Sequence, residues 1–486
     1  MPFQPVILWT DALVFLLLLV SVVTVVYVRR HEHLRKPWQR VAQSPTGMAG
    51  AVFLSFFVVI GFLDSLHYRA RLDNPGPDAK TIYAVEIKSV LDRLLDQLRQ
   101  RPERTYSAPL AYNAYSKETI ELPEGRQARE YPRLKFGGAH LSQPESQWAG
   151  DVARRVLAGV ALGLVGWLLV GVLICAARAR REGSTIEGAW LAIVRGETEV
   201  PWRAILLSIG VLIVLGCVTV VLADRYHVLG TSKVGQDVLF QALKSIRTAL
   251  VIGTLTTLLM LPFAVLLGIA AGYFRGWIDD VIQYLYTTLN SIPSVLLIAA
   301  AVLMSQVYID SRPEAFPTGI ERADLRLLIL CAILGVTSWT GLCRLLRGET
   351  LKLRELDYIQ AAQAFGVGHL RIITRHILPN VMHIVLIAVV MEFSALVLAE
   401  AVLSYVGVGV DPSMLSFGTM INAARLEMAR DPMVWWSLAA AFGFMFVLVL
   451  AANLFADAVR DAFDPRVAVK PFRFSLRRSA GAKAAA

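Results

Sequence analysis

Glu392 and Glu400 lie within or near the end of one long apolar stretch, residues 380–404. A carboxylate inside a hydrocarbon layer is costly enough to mark a functional candidate. Each has two readings: direct participation in moving an ion or solute, or service as a helix cap or as the partner of an arginine on a neighbouring subunit. Asp64, at the end of another apolar stretch, is a third candidate ion site. Asp279 and Asp280, in the turn RGWIDD, read as charges at a helix N-terminus, with a proton relay as the alternative. His376 follows Arg375 at a loop end, which suits a solvated or interface histidine better than a pH switch. Cys175, Cys217, Cys331 and Cys343 fall inside or at the ends of apolar stretches without metal-type spacing, so packing thiols are expected. The chain has no G-x-x-x-x-G-K-S/T phosphate loop, and no nucleophile or metal constellation marks an enzyme; no cofactor of its own is expected.

These residues need a scaffold, and composition says where it sits. Of 486 residues 56% are hydrophobic and 18% charged, which is far too apolar for a soluble domain of this length. A helix needs roughly 20 apolar residues to cross a bilayer. Nine stretches meet or approach that length, near residues 7–28, 47–67, 156–178, 204–223, 249–273, 281–304, 325–345, 380–404 and 435–457. The first follows MPFQP, which has no lysine or arginine, and precedes RRHEHLRK. A cleavable signal peptide has the opposite charge order, so a retained helix with its N-terminus outside is expected.

Basic residues set the orientation. Arg29, Arg30, Arg35, Lys36 and Arg40 face a single Glu32 in residues 29–46, which places that loop in the cytoplasm. Arg178, Arg180 and Arg181, then Arg344, Arg347, Lys352, Arg354, Arg371 and Arg375, and finally Arg473, Arg477 and Arg478 keep the alternation. The net charge of +10 is therefore mostly an orientation signal, and without a basic stripe of interleaved aromatics it does not point to nucleic acid.

Four parts are expected: an N-terminal module of three spans, residues 1–178, a cytoplasmic linker at 179–203, a six-span core at 204–467, and a basic tail at 468–486. The first module encloses an outside segment, about residues 68–150, too long for a mere connection. In IYAVEIKSVLDRLLDQLRQR, Ile87, Leu91, Leu94 and Leu98 recur at helical spacing, and ETIELPEGRQAREY reads as a hairpin around Pro123, Glu124 and Gly125. A small α+β cap is expected; a poorly ordered spacer is the alternative, since the tyrosine-rich remainder lacks pattern.

The segment DYIQAAQAFGVGHLRIITRHILPN, residues 357–380, cannot be a span. Asp357, Arg371 and Arg375 would each cost roughly 2.5–3.5 kcal/mol near a helix centre. Tyr358, Ala361, Ala362 and Phe365 share one helical face. Gly366 sits where a helix end wants a left-handed residue, and Gly368 adds a break. A second short helix is expected to group Leu370, Ile373 and Ile377, with Pro379 in the first turn of the next span. Such a face fits a groove on a soluble partner, and a helix resting on lipid headgroups is the alternative. The loop GVGVDPSMLSFG faces outside, as a gate, a partner contact or an ordinary loop.

This segment resembles the EAA loop of ABC importer permeases: Glu-Ala-Ala, three residues, Gly, and a closing Leu-Pro. Gln360, Ala361, Ala362, Gly366, Leu378 and Pro379 occupy those places, with glutamine for glutamate, and RHILPN has the form of the peptide-permease branch. HVLGTSKVGQDVLFQALKSIRTAL, residues 227–250, is similar to the Leu-Gly-Thr-Asp and Gly-Arg-Asp-Val segment of C-type dipeptide and oligopeptide permeases. It keeps Gly230, Thr231 and Asp237 and departs at Ser232 and Gln236. LAEAVLSYVGVGVDPSMLSFGTMINAAR, which includes Glu400, and FADAVRDAFDPR resemble the same branch. The resemblance covers about residues 200–467 and does not extend over residues 1–178.

The resemblance implies an all-α polytopic membrane protein. A six-helix type I ABC importer permease core would follow three extra transmembrane helices and the small α+β extracytoplasmic insert. It implies a bacterial inner-membrane complex: a second permease subunit, two ABC ATPase subunits that carry ATP and Mg, and a periplasmic substrate-binding protein. The loop at residues 346–379 would couple to the ATPases through Tyr358, Gln360, Ala361, Ala362, Phe365, Gly366, His376, Leu378 and Pro379. Glu392, Glu400, Gly230, Thr231 and Asp237 are the translocation or gating candidates. The competing function is an ion-gradient-driven secondary transporter or channel using Glu392, Glu400 or Asp64, which should show inverted repeats; none is visible.

Overall fold

The computed structural model describes residues 3–72, 82–121, 127–312 and 318–463. The expected basic tail, the DPR that closes FADAVRDAFDPR and the hairpin tip Pro123, Glu124 and Gly125 lie outside the described residues. Among the described residues eight helices are long and apolar enough to span a membrane, and a bent pair makes a ninth.

A short strand β1 (Phe3–Val6) leads into α1 (Trp9–Arg30), then the amphipathic α2 (Glu32–Gln43) and α3 (Pro45–Ser65). The insert follows, with β2 (His67–Leu72), β3 (Ile82–Ser89), short helices α4 (Val90–Leu94) and α5 (Asp96–Arg99), and the strands β4 (Glu118–Glu121) and β5 (Gln127–Glu130). β1, β2 and β3 form an antiparallel sheet in that order, so the residues before the first span join the insert. β4 and β5 pair antiparallel, Glu118 opposite Glu130, as the hairpin pattern predicts.

The helical expectation for Ile87 is corrected. It lies buried in β3, because I-Y-A-V-E-I-K-S alternates and has a sheet partner in β2, which overrides the local helical spacing. Ser89 then starts the helix by accepting from the backbone N–H of Asp92, and Leu94 is exposed.

The chain returns through α6 (Pro144–Glu182), α7 (Ile186–Arg195) and α8 (Trp202–Ala223). The stretch expected as a linker thus carries α7, capped by Thr185 and ended by Gly196 at φ +74. Next come α9 (Val238–Phe274), α10 (Gly276–Ser291), α11 (Ser294–Asp310), α12 (Gly319–Ser338) and α13 (Thr340–Arg354). The sixth expected span is not one helix: α10 and α11 meet at 87°. Pro293 offers no N–H to continue a helix, and it pushes Ile292 into an extended conformation, φ −89 and ψ 130.

The chain ends through α14 (Asp357–Ala364), α15 (His369–Ile372), a π-helical turn at Ile373–Ile377, α16 (Leu378–Val406), α17 (Phe417–Glu427) and α18 (Trp436–Phe463). α9 is the central post, packed against α3, α12, α13, α16 and α10. Its Val238, Ala242, Ile246 and Ala249 are buried with Phe417 and Trp436 in one core cluster. The N-terminal module is packed into that core: a Cβ on Gly50 of α3 would lie 2.8 Å from the Ala451 carbonyl of α18, so only glycine permits the approach. The four cysteines are free thiols, three of them buried in hydrophobic clusters.

Candidate functional site

α14 is held from one side only. Ile359 is fully buried with Tyr273, Leu346, Ile372 and Ile377, while Tyr358 is 44% and Phe365 88% exposed. Ala361 is exposed, and Ala362 is half-buried against the core. Gln360 Nε2 donates to the Glu355 carbonyl at 3.2 Å, the one partner of that side chain among the described residues. Gly366 adopts φ +74, and Val367 N–H closes the turn onto the Ala362 carbonyl at 3.0 Å.

The separate second helix expected after Gly366 is corrected: α15 runs through the π turn into α16 as one 38-residue helix. Pro379 cannot donate, and its ring crowds the preceding turn, which the wider π turn accommodates. Burial follows the new phase, with Ile372 and Ile377 buried and Leu370 76% exposed. His376 packs its ring 6.0 Å from that of Tyr358. Asn380 Nδ2 donates to the His376 carbonyl at 2.6 Å and to Tyr358 Oη at 3.2 Å. Leu378 is half-buried against the core and Pro379 is exposed.

The elbow that carries α14 is stiff. Arg347 of α13 donates twice to Asp279 of α10, at 2.6 and 2.7 Å, and Arg354 donates to the Tyr273 carbonyl of α9 at 2.8 Å. Asp279, read from sequence as a helix-end charge, is thus also the acid of an ion pair. His369 Nδ1 meets Tyr273 Oη at 2.9 Å. Ile359 of α14 is thus packed against Tyr273 of α9, Leu346 of α13, and Ile372 and Ile377 of the helix that continues into α16.

The candidate carboxylates separate. Glu400 is fully enclosed, and one of its oxygens accepts from Ser404 Oγ at 2.7 Å and Ser416 Oγ at 2.8 Å, which ties α16 to the start of α17. Asp64 is buried and accepts from Ser89 Oγ at 2.7 Å and Lys244 Nζ at 2.6 Å. Glu392 has neither hydrogen bond nor ion pair among the described residues and lines a groove between α13, α16 and α18.

Gly230, Thr231 and Asp237 lie beneath the insert. Thr231 Oγ1 accepts from Ser107 N–H at 2.7 Å and donates to the Thr105 carbonyl at 2.8 Å, and Trp436 Nε1 donates to the Thr231 carbonyl at 2.9 Å. Asp237 caps α9 and meets His227 Nδ1 at 2.8 Å. The other imidazole nitrogen, Nε2, lies 3.4 Å from Glu103 of the insert, which also accepts the backbone N–H groups of Lys135, Phe136 and Gly137. Burial would raise Glu103, but His227 and those three N–H groups bring it down to about 2. Burial would lower His227, but the two carboxylates push it up to about 9.

Sequence reading named Thr231 and Asp237 of this seam but not their partners His227 and Glu103, and it missed a second knot beside them. Arg247 of α9 donates to Asp11 at 2.6 Å and Thr10 at 2.9 Å, with Asp324 at 3.7 Å, joining α1, α9 and α12. Charges at the ends of apolar runs were the available signal for Asp11, Arg247 and Asp324. None marked Glu103 or His227. In the loop after α16, Asp411 pairs with Arg326; burial would raise its carboxyl, but Ser413 and Arg326 hold it below the usual range.

The family described as binding-protein-dependent transport system inner membrane component matches residues 264–469. The oligopeptide transport system permease protein OppC of Mycobacterium tuberculosis (strain ATCC 25618 / H37Rv) is 32% identical over 239 residues, covering 49% of this chain and 76% of that protein. The glutathione transport system permease protein GsiD of Pectobacterium atrosepticum is 32% identical over 243 residues, covering 50% and 73%. A solved structure titled as inward facing conformations of the MetNI methionine ABC transporter aligns with 46% of this chain and 96% of that one, at 16% identity and a TM-score of 0.33, too low to bear on the fold.

Proposed function

The chain belongs to the family of binding-protein-dependent transport system inner membrane components, and from that premise we propose that it is the transmembrane permease subunit of an ATP-driven importer for peptides or similar small solutes. Solute moves from periplasm to cytoplasm. The partners are a second permease subunit, two ATPase subunits that bind ATP and Mg, and a periplasmic binding protein. The organisation is a three-span module at 1–178 with an outer insert, a linker at 179–203, a six-span core at 204–467 and a tail at 468–486, with the N-terminus outside and the C-terminus in the cytoplasm.

The observation that carries the coupling role is α14 itself: Ile359 fastens one face to the core while Tyr358 and Phe365 stand exposed on a rigid elbow. Swinging a two-state gate from 1:99 to 99:1 takes roughly 5.5 kcal/mol of differential binding. The ATPase chains supply it by gripping α14 differently with and without nucleotide, and the ion pair between Arg347 and Asp279 passes the displacement to α10. Co-purification with two ATPase chains is the first test. In the reconstituted complex, Ala362→Glu places a charge on the docking helix, and Gly366→Pro cannot adopt φ +74. Each should abolish substrate-stimulated ATP hydrolysis; stimulation at the wild-type level in both overturns α14 as the coupling element.

A further inference from the structure

Glu392 is a half-buried acid of α16 without a partner among the described residues, and its surroundings describe a ligand. His383, Ile387 and Met391 form one row along α16, and Ile384, Ala388 and Glu392 the adjacent row, so a single stripe lines the groove. The groove has a volume of about 690 Å³, within the usual range for a small-molecule site. Leu342 and Leu345 of α13 face it, and a Cβ on Gly341 would meet no atom within 4 Å, which leaves room at the wall.

The charges in the groove do not cancel internally. Glu349 is answered by Lys352 at 3.1 Å. Arg460 of α18 lines the same groove but makes no ion pair with Glu392, and among the described residues neither has another partner. A bare carboxylate and a bare guanidinium do not face lipid, so this side of the bundle is turned toward an aqueous path or another chain. Largely apolar walls, with the His383 imidazole among them, one unpaired carboxylate and one unpaired guanidinium complement a short zwitterion.

We propose that this groove is a binding station on the translocation path for short zwitterionic peptides, with Glu392 holding the terminal ammonium and Arg460 the terminal carboxylate. The proposal rests on the importer reading above and narrows its substrate class.

The test is equilibrium binding to the purified complex of both permease chains and the ATPases, without the binding protein. Radiolabelled trialanine, N-acetyl-trialanine and trialanine amide serve as probes. Wild type should prefer trialanine. Glu392→Gln should weaken trialanine and its amide by about tenfold or more, the value of one charge-assisted hydrogen bond, and leave N-acetyl-trialanine unchanged. Arg460→Gln should weaken trialanine and N-acetyl-trialanine and spare the amide. Equal wild-type binding of the three peptides, or equal weakening of all three by Glu392→Gln, overturns the proposal. So does failure of the Glu392→Gln complex to assemble, because Glu392 is then an inter-subunit pair. The two readings fail separately: uptake of trialanine driven by ATP with the binding protein present upholds the importer even if the groove binds nothing.

Discussion

The two ends of the bundle are built on opposite principles. At the insert end each carboxylate of the seam has a cation: Glu103 and Asp237 share His227, Asp64 and Asp92 share Lys244, and Asp11 has Arg247. At the other end α14 is fastened through Ile359 and shows Tyr358 and Phe365 to its surroundings. Removing one member of a buried ion pair strands the rest, so the insert end holds its shape through interactions that are costly to break. An exposed aromatic contributes little to the fold and is free to contribute to a partner. One end is locked onto its own chain, and the other is the end proposed to receive a second chain.

The sharpest way to break this contrast is His227→Ala, which strands Glu103 and Asp237 together. A stability loss of about 3–5 kcal/mol is expected, read as a lower melting temperature and as rapid proteolysis of the insert. Gly235→Ala comes next. Gly235 sits at φ +74, and its Cβ would fall 1.8 Å from the Glu103 carbonyl oxygen, so the insert must lift. A cost of about 1–3 kcal/mol from backbone strain is expected, before any cost of displacing the insert, and hydrogen exchange around residue 103 should accelerate.

The pH dependence of the seam sharpens the comparison further. His227 is raised from 6.5 to about 9, so its contribution is complete below about 6.5 and is lost as pH rises through about 9. Glu103 is lowered from 4.5 to about 2, so its contribution is complete above about 4.5 and is lost as pH falls toward about 2. Trypsin cleavage within the insert should therefore increase as pH passes about 9, while cleavage near α14 should not follow the same curve. The smallest effect on stability belongs to Phe365→Ala, within about 0.5 kcal/mol. The same variant should weaken ATPase docking by about 2 kcal/mol, roughly thirtyfold, in a pull-down titration. A large drop in melting temperature for Phe365→Ala would erase the distinction between the two ends.

Much of the fold is legible in the amino-acid sequence, because spanning a bilayer is a local requirement. Each apolar stretch falls on a spanning helix, on two joined helices or on the bent pair, although α6 and α9 begin 12 and 11 residues before the stretches read for them, and the αL glycine at Gly366 follows from the pattern of residues 357–380 alone. Where sequence pattern misleads, a distant partner or a backbone detail intervenes. Ile87 matches a helical period, yet β2 offers a sheet edge. Pro293 breaks what hydropathy marks as one continuous span. Pro379 stands in the first turn of α16 as the pattern predicts, but a π turn joins that helix to α15 where two separate helices are expected.

Of the site residues, sequence determined which groups are chemically unusual: Glu392 and Glu400 in an apolar run, and Tyr358 to Phe365 on an amphipathic turn. Only the tertiary structure decided their circumstances. It closed Glu400 between two serine hydroxyls, left Glu392 bare in a groove, and brought His227 against Glu103 across 124 residues of chain. Hydropathy and helical period are properties of neighbours in sequence, so they can be read from the chain. Whether a charge is answered depends on groups that become neighbours only when the chain has folded.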